Sequence, residues 1–137
     1  MRYYLDTNTL TFILNKDKDN IHYDIKGILN DYANTLLASS VTVQELLFLF
    51  RIGKIKLKNK NEDAILSAIE EFGIKTVFFN ENHFKKYAKL QIANSHKDIN
   101  DHLIIAQSIS DKVPLISSDS KFKEYVSQGL NFIYNKR

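Results

Sequence analysis

The chain has 137 residues, of which 44% are hydrophobic and 26% are charged, a balance that fits one globular domain with one core. It has no cysteine, which excludes disulfides and thiolate metal sites, and no two of its four histidines lie within five residues of each other, so a zinc site is poorly supported. No apolar run approaches the roughly 20 residues of a membrane span, and no signal peptide is recognisable. We therefore expect a cytoplasmic protein with no membrane partner, whose net charge of +3 permits a polyanionic partner.

The predicted elements alternate between short apolar strands and helices. The predicted strands are residues 2–6, 35–39, 75–79, 113–117 and 131–134. The predicted helices are a segment that ends at Leu14, then residues 22–34, 42–52, 61–72, 82–94, 100–111 and a short helix at 120–127, with a polar loop at 15–20. This order favours an α/β fold with a mainly parallel sheet of four or five strands and helices on both faces. In such sheets, ligands bind beyond the carboxyl ends of the strands.

Four acidic residues lie at the edges of apolar runs, whereas most others have polar surroundings. Asp6 and Asp119 come just beyond predicted strand ends, and Glu45 and Asp101 fall in the first turns of predicted helices. Carboxylates that converge without cationic partners repel one another, so we expect a cation between them. Oxygen-only ligands suit a hard divalent cation, Mg²⁺ or Mn²⁺, which positions phosphate oxygens and activates water.

Each acid also has a purely local interpretation. Asp6 is a favoured N-cap residue for the helix that follows it, as is the acid after the fourth predicted strand. Glu45 ends a capping-box spacing that begins at Thr42. Asp98 and Asp101 have the spacing of an N-cap and an acid at the third helical position, which the helix dipole favours. Capping explains each acid singly, but not why all four lie against buried runs at one edge of the sheet.

Four segments together resemble PIN-domain ribonucleases, and specifically the VapC-type toxins of bacterial toxin–antitoxin pairs. The segments are "YYLDTNTL", "SVTVQEL", "HKDINDHLIIAQS" and "PLISSD", and they occur in the family's order over nearly the whole chain. Three positions depart from the family pattern, because Ile99, His102 and Ser117 stand where proline, arginine and threonine are usual. None of these departures removes an acid, although the change at His102 affects a position expected to influence phosphate contacts.

The resemblance implies a single PIN-like domain over residues 1–137 that hydrolyses RNA with Mg²⁺ or Mn²⁺. The acids implied in catalysis and metal binding are Asp6, Glu45, Asp101 and Asp119. The resemblance adds Asp98 as a further candidate ligand, and Asn8 and Ser117 as residues that orient the carboxylates. The alternative for Asn8 and Ser117 is that they make local hydrogen bonds in turns.

The resemblance also implies a cognate antitoxin protein and commonly a homodimer. The segment "LLFLF", residues 46–50, is apolar on every side of its helix, so we predict that it contributes to one of these interfaces. The alternative is a helix buried wholly in the domain core. Candidates for contacts with RNA phosphates are Arg51, Lys54, Lys56, Lys58 and Lys60, together with Lys85, Lys86 and Lys89. The alternative is an ordinary solvated surface.

Two other functions share parts of this pattern. A phosphatase of the haloacid dehalogenase type also begins with an apolar strand that ends in aspartate. It needs a second acid two residues later, where this chain has Asn8. A catalytically silent PIN-like module that only binds RNA or protein is the other alternative, and the intact acids at all four positions argue against it.

Overall fold

Five parallel strands form one sheet in the computed structural model, which describes residues 1–137. The order across the sheet is β3-β2-β1-β4-β5, so β1 lies at the centre between β2 and β4. The strands are β1 (Arg2–Leu5), β2 (Thr35–Ser39), β3 (Lys75–Val77), β4 (Leu115–Ser117) and β5 (Phe132–Tyr134). The predicted α/β fold with a parallel sheet is confirmed.

Six α-helices and two 3₁₀ helices connect the strands. The α-helices are α1 (Thr7–Leu14), α2 (Tyr23–Asn30), α3 (Ser40–Arg51), α4 (Glu62–Glu71), α5 (Glu81–Lys89) and α6 (Ile99–Asp111). The 3₁₀ helices are Lys18–Asn20, within the predicted polar loop, and Ser120–Gln128, where a short helix was expected. None of these helices combines the length and the apolar character needed to span a bilayer.

Both faces of the sheet are covered, because successive residues of each strand point to opposite sides. Tyr3 and Leu5 pack on one face in a cluster that includes buried residues of α1, α2, α3 and α4. Tyr4 packs on the other face with buried residues of α6 and of the 3₁₀ helix Ser120–Gln128. Burial on both sides explains why the strands are apolar throughout rather than alternating with polar residues.

Two helices end earlier than the sequence pattern predicts. The helix predicted at 22–34 stops at Asn30, because the Asp31 carboxylate accepts a hydrogen bond from the Ala33 N–H at 2.9 Å and closes a turn. The helix predicted at 82–94 stops at Lys89. Beyond it the backbone is extended at Leu90. It is left-handed at Asn94 and Ser95, with φ of +48° and +58°.

Helix α3 begins earlier than predicted. Ser39 is its N-cap and accepts a hydrogen bond from the Val41 N–H at 3.0 Å, so the capping box inferred for Thr42 and Glu45 is wrong. Glu45 instead lies in the second turn. Leu46 is fully buried but Phe48 is 58% exposed, so the alternative that this helix is buried wholly in the core is also wrong.

A buried hydrogen-bond network attaches α6 to the central strands. Gln107, which is fully buried, donates to the Tyr4 hydroxyl at 3.2 Å and to the Val77 carbonyl at 3.1 Å, and it accepts from the Ser39 hydroxyl at 2.5 Å. The Tyr4 hydroxyl donates in turn to Asp111 at the end of α6. Burial and the Asp111 carboxylate both raise the pKa of Tyr4, which keeps this hydroxyl protonated as a donor. The network thus sets where α6 lies relative to three strands.

The network predicts a stability loss when its central amide is removed. Gln107→Met keeps the approximate side-chain shape but leaves the Val77 carbonyl and the Ser39 hydroxyl without their partner, at a cost of about 1–3 kcal/mol. Urea denaturation measures the free energy of unfolding. The control is Gln44→Met on the exposed face of α3, which should change that free energy by less than about 0.5 kcal/mol. Equal losses in the two variants would contradict the prediction.

Candidate active site

The four predicted acids come from four separate segments at the carboxyl edge of the sheet. Asp6 directly follows β1, and Asp119 follows the neighbouring strand β4 by two residues. Glu45 lies on α3, which starts directly after β2, and Asp101 lies in the first turn of α6. Hydrogen bonds between these segments show which of the acids the fold brings together.

Ser117 connects the two acids that follow β1 and β4. Its hydroxyl donates to Asp6 Oδ2 at 2.5 Å and accepts from the Asp119 N–H at 3.0 Å. Asp6 is only 5% exposed, and its Oδ1 also accepts from the Thr9 N–H at 2.9 Å as the N-cap of α1. The local interpretation of Asp6 as a helix cap is therefore confirmed, and the same carboxylate is also linked through Ser117 to the backbone of Asp119.

Glu45 is held from two directions at once. The Thr7 hydroxyl donates to Glu45 Oε1, and the Asn100 amide donates to Glu45 Oε2 at 2.8 Å. These contacts bring the starts of α1 and α6 to the same carboxylate on α3. Sequence analysis missed Thr7 and Asn100, although each lies directly beside a predicted acid.

Asp101 lies on the first turn of α6 beside a buried histidine. Asp98 is the N-cap of α6, and its Oδ1 accepts from the N–H groups of Asn100 at 3.0 Å and Asp101 at 3.2 Å. The predicted N-cap and third-position acid are thus confirmed as local structure. Asp101 Oδ2 lies 2.9 Å from Nε2 of His96, a residue to which sequence analysis gave no role.

The remaining predicted residues occupy different surroundings. Asp119 caps the 3₁₀ helix, with Oδ1 accepting from the Lys121 N–H at 2.9 Å. Ser117 is fully buried and contacts the acids as described above. Asn8 is exposed, and its side chain makes no hydrogen bond to any of the acids. Asn8 therefore lies where it does not orient a carboxylate in this conformation.

Mutual repulsion and burial both disfavour ionisation of the central acids. Burial raises the pKa of Asp101 to about 8, and the negative charges of Asp98, Glu45, Asp119 and Asp6 contribute in that order. Burial also raises the pKa of Asp6, although the hydrogen bonds from Ser117 and Thr9 partly oppose this effect. The coupling shows that the acids from all four segments share one electrostatic environment.

The chemistry of the site fits a divalent cation in charge and donor type. The acids offer oxygen ligands only, and no lysine or arginine forms an ion pair with any of them. No three of the His, Asp or Glu side chains are already arranged as ligands of one metal ion. The hydrogen bonds within the site leave some carboxylate lone pairs unused, and these remain available to a cation.

The raised pKa of Asp101 predicts a pH-dependent stability in metal-free buffer. Between its usual value of 3.8 and about 8, the folded state keeps a proton that the unfolded state has lost. Stability should therefore fall as pH rises through this range, by up to about 1.4 kcal/mol per pH unit. Asp101→Asn should flatten the fall, as measured by urea denaturation across this range. The exposed control Asp19→Asn should leave it unchanged, and an unchanged slope in Asp101→Asn would contradict the prediction.

Comparison with known proteins shows the family to which the chain belongs. The chain is similar to Ribonuclease VapC2 of Rickettsia felis. The two are 28% identical over 130 residues, which cover 88% of this chain and 89% of the relative. In structure it is similar to VapBC2 of R. felis bound to a promoter DNA fragment, at 23% identity and a TM-score of 0.67, with 98% of each chain covered. It is equally similar to VapBC-1 of nontypeable Haemophilus influenzae, at 22% identity and a TM-score of 0.67 over the full length of both chains. The PIN domain family model matches residues 3–127, and the chain therefore belongs to the PIN domain family.

Proposed function

We propose that the chain is a ribonuclease of the VapC type that hydrolyses RNA phosphodiester bonds with the help of Mg²⁺ or Mn²⁺. The observation that carries the proposal is the meeting of acids from four segments at the carboxyl edge of the sheet, none of them in an ion pair with lysine or arginine. Burial, and then the charges of the other acids, raise the pKa of Asp101 there. Membership of the PIN domain family and the similarity to a protein named Ribonuclease VapC2 support the same activity.

The residues proposed to hold the cation are Asp6, Glu45, Asp101 and Asp119, with Asp98 as a further candidate. A divalent ion at these carboxylates supplies a Lewis acid for the phosphate oxygens and lowers the pKa of water. Ser117 fixes the rotamer of Asp6, and Thr7 and Asn100 fix that of Glu45, so both carboxylates are oriented before substrate arrives. Asp101 must lose the proton that its surroundings favour before it binds a cation, so metal affinity should increase with pH.

Exposed lysines near α3 support contact with a polyanion. In residues 52–61, which link α3 to α4, Lys54, Lys56 and Lys58 are exposed, whereas Ile55 and Leu57 pack against the core. Asn15 fixes this link through hydrogen bonds with its backbone, to the Lys56 carbonyl at 2.8 Å and from the Lys58 N–H at 3.1 Å. We propose that these lysines contact RNA phosphates. The alternative of an ordinary solvated surface predicts no effect on RNA binding when they are replaced.

We also propose that the chain assembles with a protein antitoxin and with a second copy of itself. The solved structures to which it is similar include VapBC complexes and a structure described as a toxin–antitoxin complex from Klebsiella pneumoniae, at 13% identity and a TM-score of 0.64. The surface offered for assembly is apolar. Phe48 of α3 is 58% exposed and Phe78 after β3 is 74% exposed, and both line one groove with Leu66 of α4.

The nuclease proposal predicts metal-dependent cleavage of a mixed RNA pool. Wild-type protein with Mg²⁺ or Mn²⁺ should cleave, and chelation should stop cleavage. Asp6→Asn should lower the rate by at least about 100-fold, because it weakens a ligand at the centre of the site. Asp19→Asn, a matched change at an exposed acid, should cleave like wild type. No cleavage by wild type, or equal cleavage by Asp6→Asn, would refute the ribonuclease reading and favour a silent binding module.

The assembly proposal predicts that a charge on α3 separates the copies. Light scattering should show a wild-type dimer and a Phe48→Glu monomer, because burying a carboxylate in an apolar interface is unfavourable. Tyr32→Glu places the same charge on a fully exposed residue of another loop and should leave the mass unchanged. If Phe48→Glu stays folded with the wild-type mass, this helix is not part of the interface.

A further inference from the structure

A continuous chain of hydrogen bonds runs from the backbone of the loop before α6 to the Asp101 carboxylate. The Ala93 N–H donates to the Tyr125 hydroxyl at 3.2 Å, and that hydroxyl lies 3.0 Å from His96 Nδ1. His96 Nε2 then lies 2.9 Å from Asp101 Oδ2. Tyr125 is fully buried and His96 is only 8% exposed, so the contact between these two side chains is shielded from water.

The partners of the Tyr125 hydroxyl determine which atom donates and which accepts in each of these hydrogen bonds. Ala93 offers an N–H, so the hydroxyl oxygen accepts there, and His96 Nδ1 is its one other partner. A buried hydroxyl proton needs an acceptor, which makes Nδ1 the unprotonated nitrogen of the imidazole ring. Nε2 therefore carries the ring proton and donates it in a hydrogen bond to Asp101 Oδ2. Every donor in this series of hydrogen bonds therefore points toward the Asp101 carboxylate.

Packing leaves the His96 ring little freedom to rotate. The His102 ring meets it edge-on at 4.8 Å between centroids, and the rings of Tyr125 and Phe122 lie at 5.6 Å and 6.4 Å. The backbone of the loop is also fixed, because the His96 N–H donates to the Ala93 carbonyl at 2.9 Å. The imidazole thus presents its Nε2 in one direction only.

In this series of hydrogen bonds, Asp101 accepts through Oδ2 only, and its Oδ1 stays free. Oδ2 is held by His96, whereas Oδ1 has no hydrogen-bond partner in the protein. A hydrogen bond to one oxygen fixes the plane of a carboxylate and leaves the second oxygen able to bind a cation.

We propose that Tyr125 and His96 are positioning residues for Asp101 in the proposed metal-dependent reaction. Tyr125 sets the tautomer of His96, and His96 holds Asp101 so that its free oxygen is available to the cation. This inference rests on the proposed function. The alternative is that Tyr125 and His96 only fill the space beneath α6, in which case the hydroxyl and the ring proton have no effect on the carboxylate.

Two measurements on the metal-free and Mn²⁺-loaded protein test the positioning directly. The ¹⁵N shifts of the His96 ring in wild type should report one tautomer, with the proton on Nε2, and Tyr125→Phe should change that pattern. The Mn²⁺ dissociation constant, measured by electron paramagnetic resonance without RNA, should rise about 10-fold in Tyr125→Phe. Tyr134→Phe is the matched control, because the Tyr134 hydroxyl makes no hydrogen bond and its loss should change neither quantity.

Two replacements of His96 distinguish a role as hydrogen-bond donor to Asp101 from a role in packing alone. His96→Gln keeps an N–H donor near the place of Nε2 and should retain Mn²⁺ affinity and kcat within a few-fold. His96→Leu removes the donor and should weaken Mn²⁺ binding by about 10-fold or more, with a lower kcat at unchanged KM for RNA. Similar losses in both variants would overturn the proposal, since packing alone would then explain the role of the ring.

The outcomes also distinguish this proposal from the proposed function. If wild type has the ring proton on Nδ1, or if Tyr125→Phe and His96→Leu bind Mn²⁺ and cleave RNA like wild type, the positioning role is wrong and the nuclease stands. If wild type binds Mn²⁺ but cleaves no RNA, the nuclease proposal fails. The tautomer and the Mn²⁺ affinities then still decide whether His96 positions Asp101.

Discussion

The constraint on which the rest of the structure depends is the gathering of negative charge at the carboxyl edge of a parallel sheet. Asp6, Glu45, Asp101 and their neighbours share one electrostatic environment, and none of them forms an ion pair with a lysine or arginine. The fold holds these groups together because backbone and side-chain donors stabilise each carboxylate separately. The cores on both faces of the sheet supply the stability against which this repulsion acts.

Helix capping and participation in the site are two roles of the same side chains. Asp6, Asp98 and Asp119 each cap a helix, and each does so through one carboxylate oxygen. A carboxylate has about four lone-pair directions, so capping through one oxygen leaves the other oxygen able to accept a further partner. An N-cap at the carboxyl end of a strand also places the acid where the crevice of an α/β sheet opens. The local interpretation of these acids therefore agrees with their proposed function.

The sequence predicted the position of a site residue where that position follows from the local strand and helix pattern. It did not predict positions that depend on how separate elements pack together. Asp6 and Asp119 follow apolar strands, so their place at the sheet edge could be predicted from the pattern alone. The pairing of Glu45 with Thr7 and Asn100 depends on how α1, α3 and α6 pack, which no spacing encodes. The approach of His96 to Asp101 depends on a loop with left-handed residues at 94 and 95, and helical periodicity predicted a helix over part of that loop.

Helix α6 connects the site to the middle of the sheet through a single rigid element. Asp101 lies in its first turn and Gln107 lies about 9 Å further along its axis, at about 1.5 Å per residue. Gln107 is bonded to β1, β2 and β3, so the depth at which α6 sits is set by three strands at once. The position of Asp101 relative to the other acids therefore depends on the sheet. A substitution at Gln107, deep in the core, can therefore change the geometry of the acids.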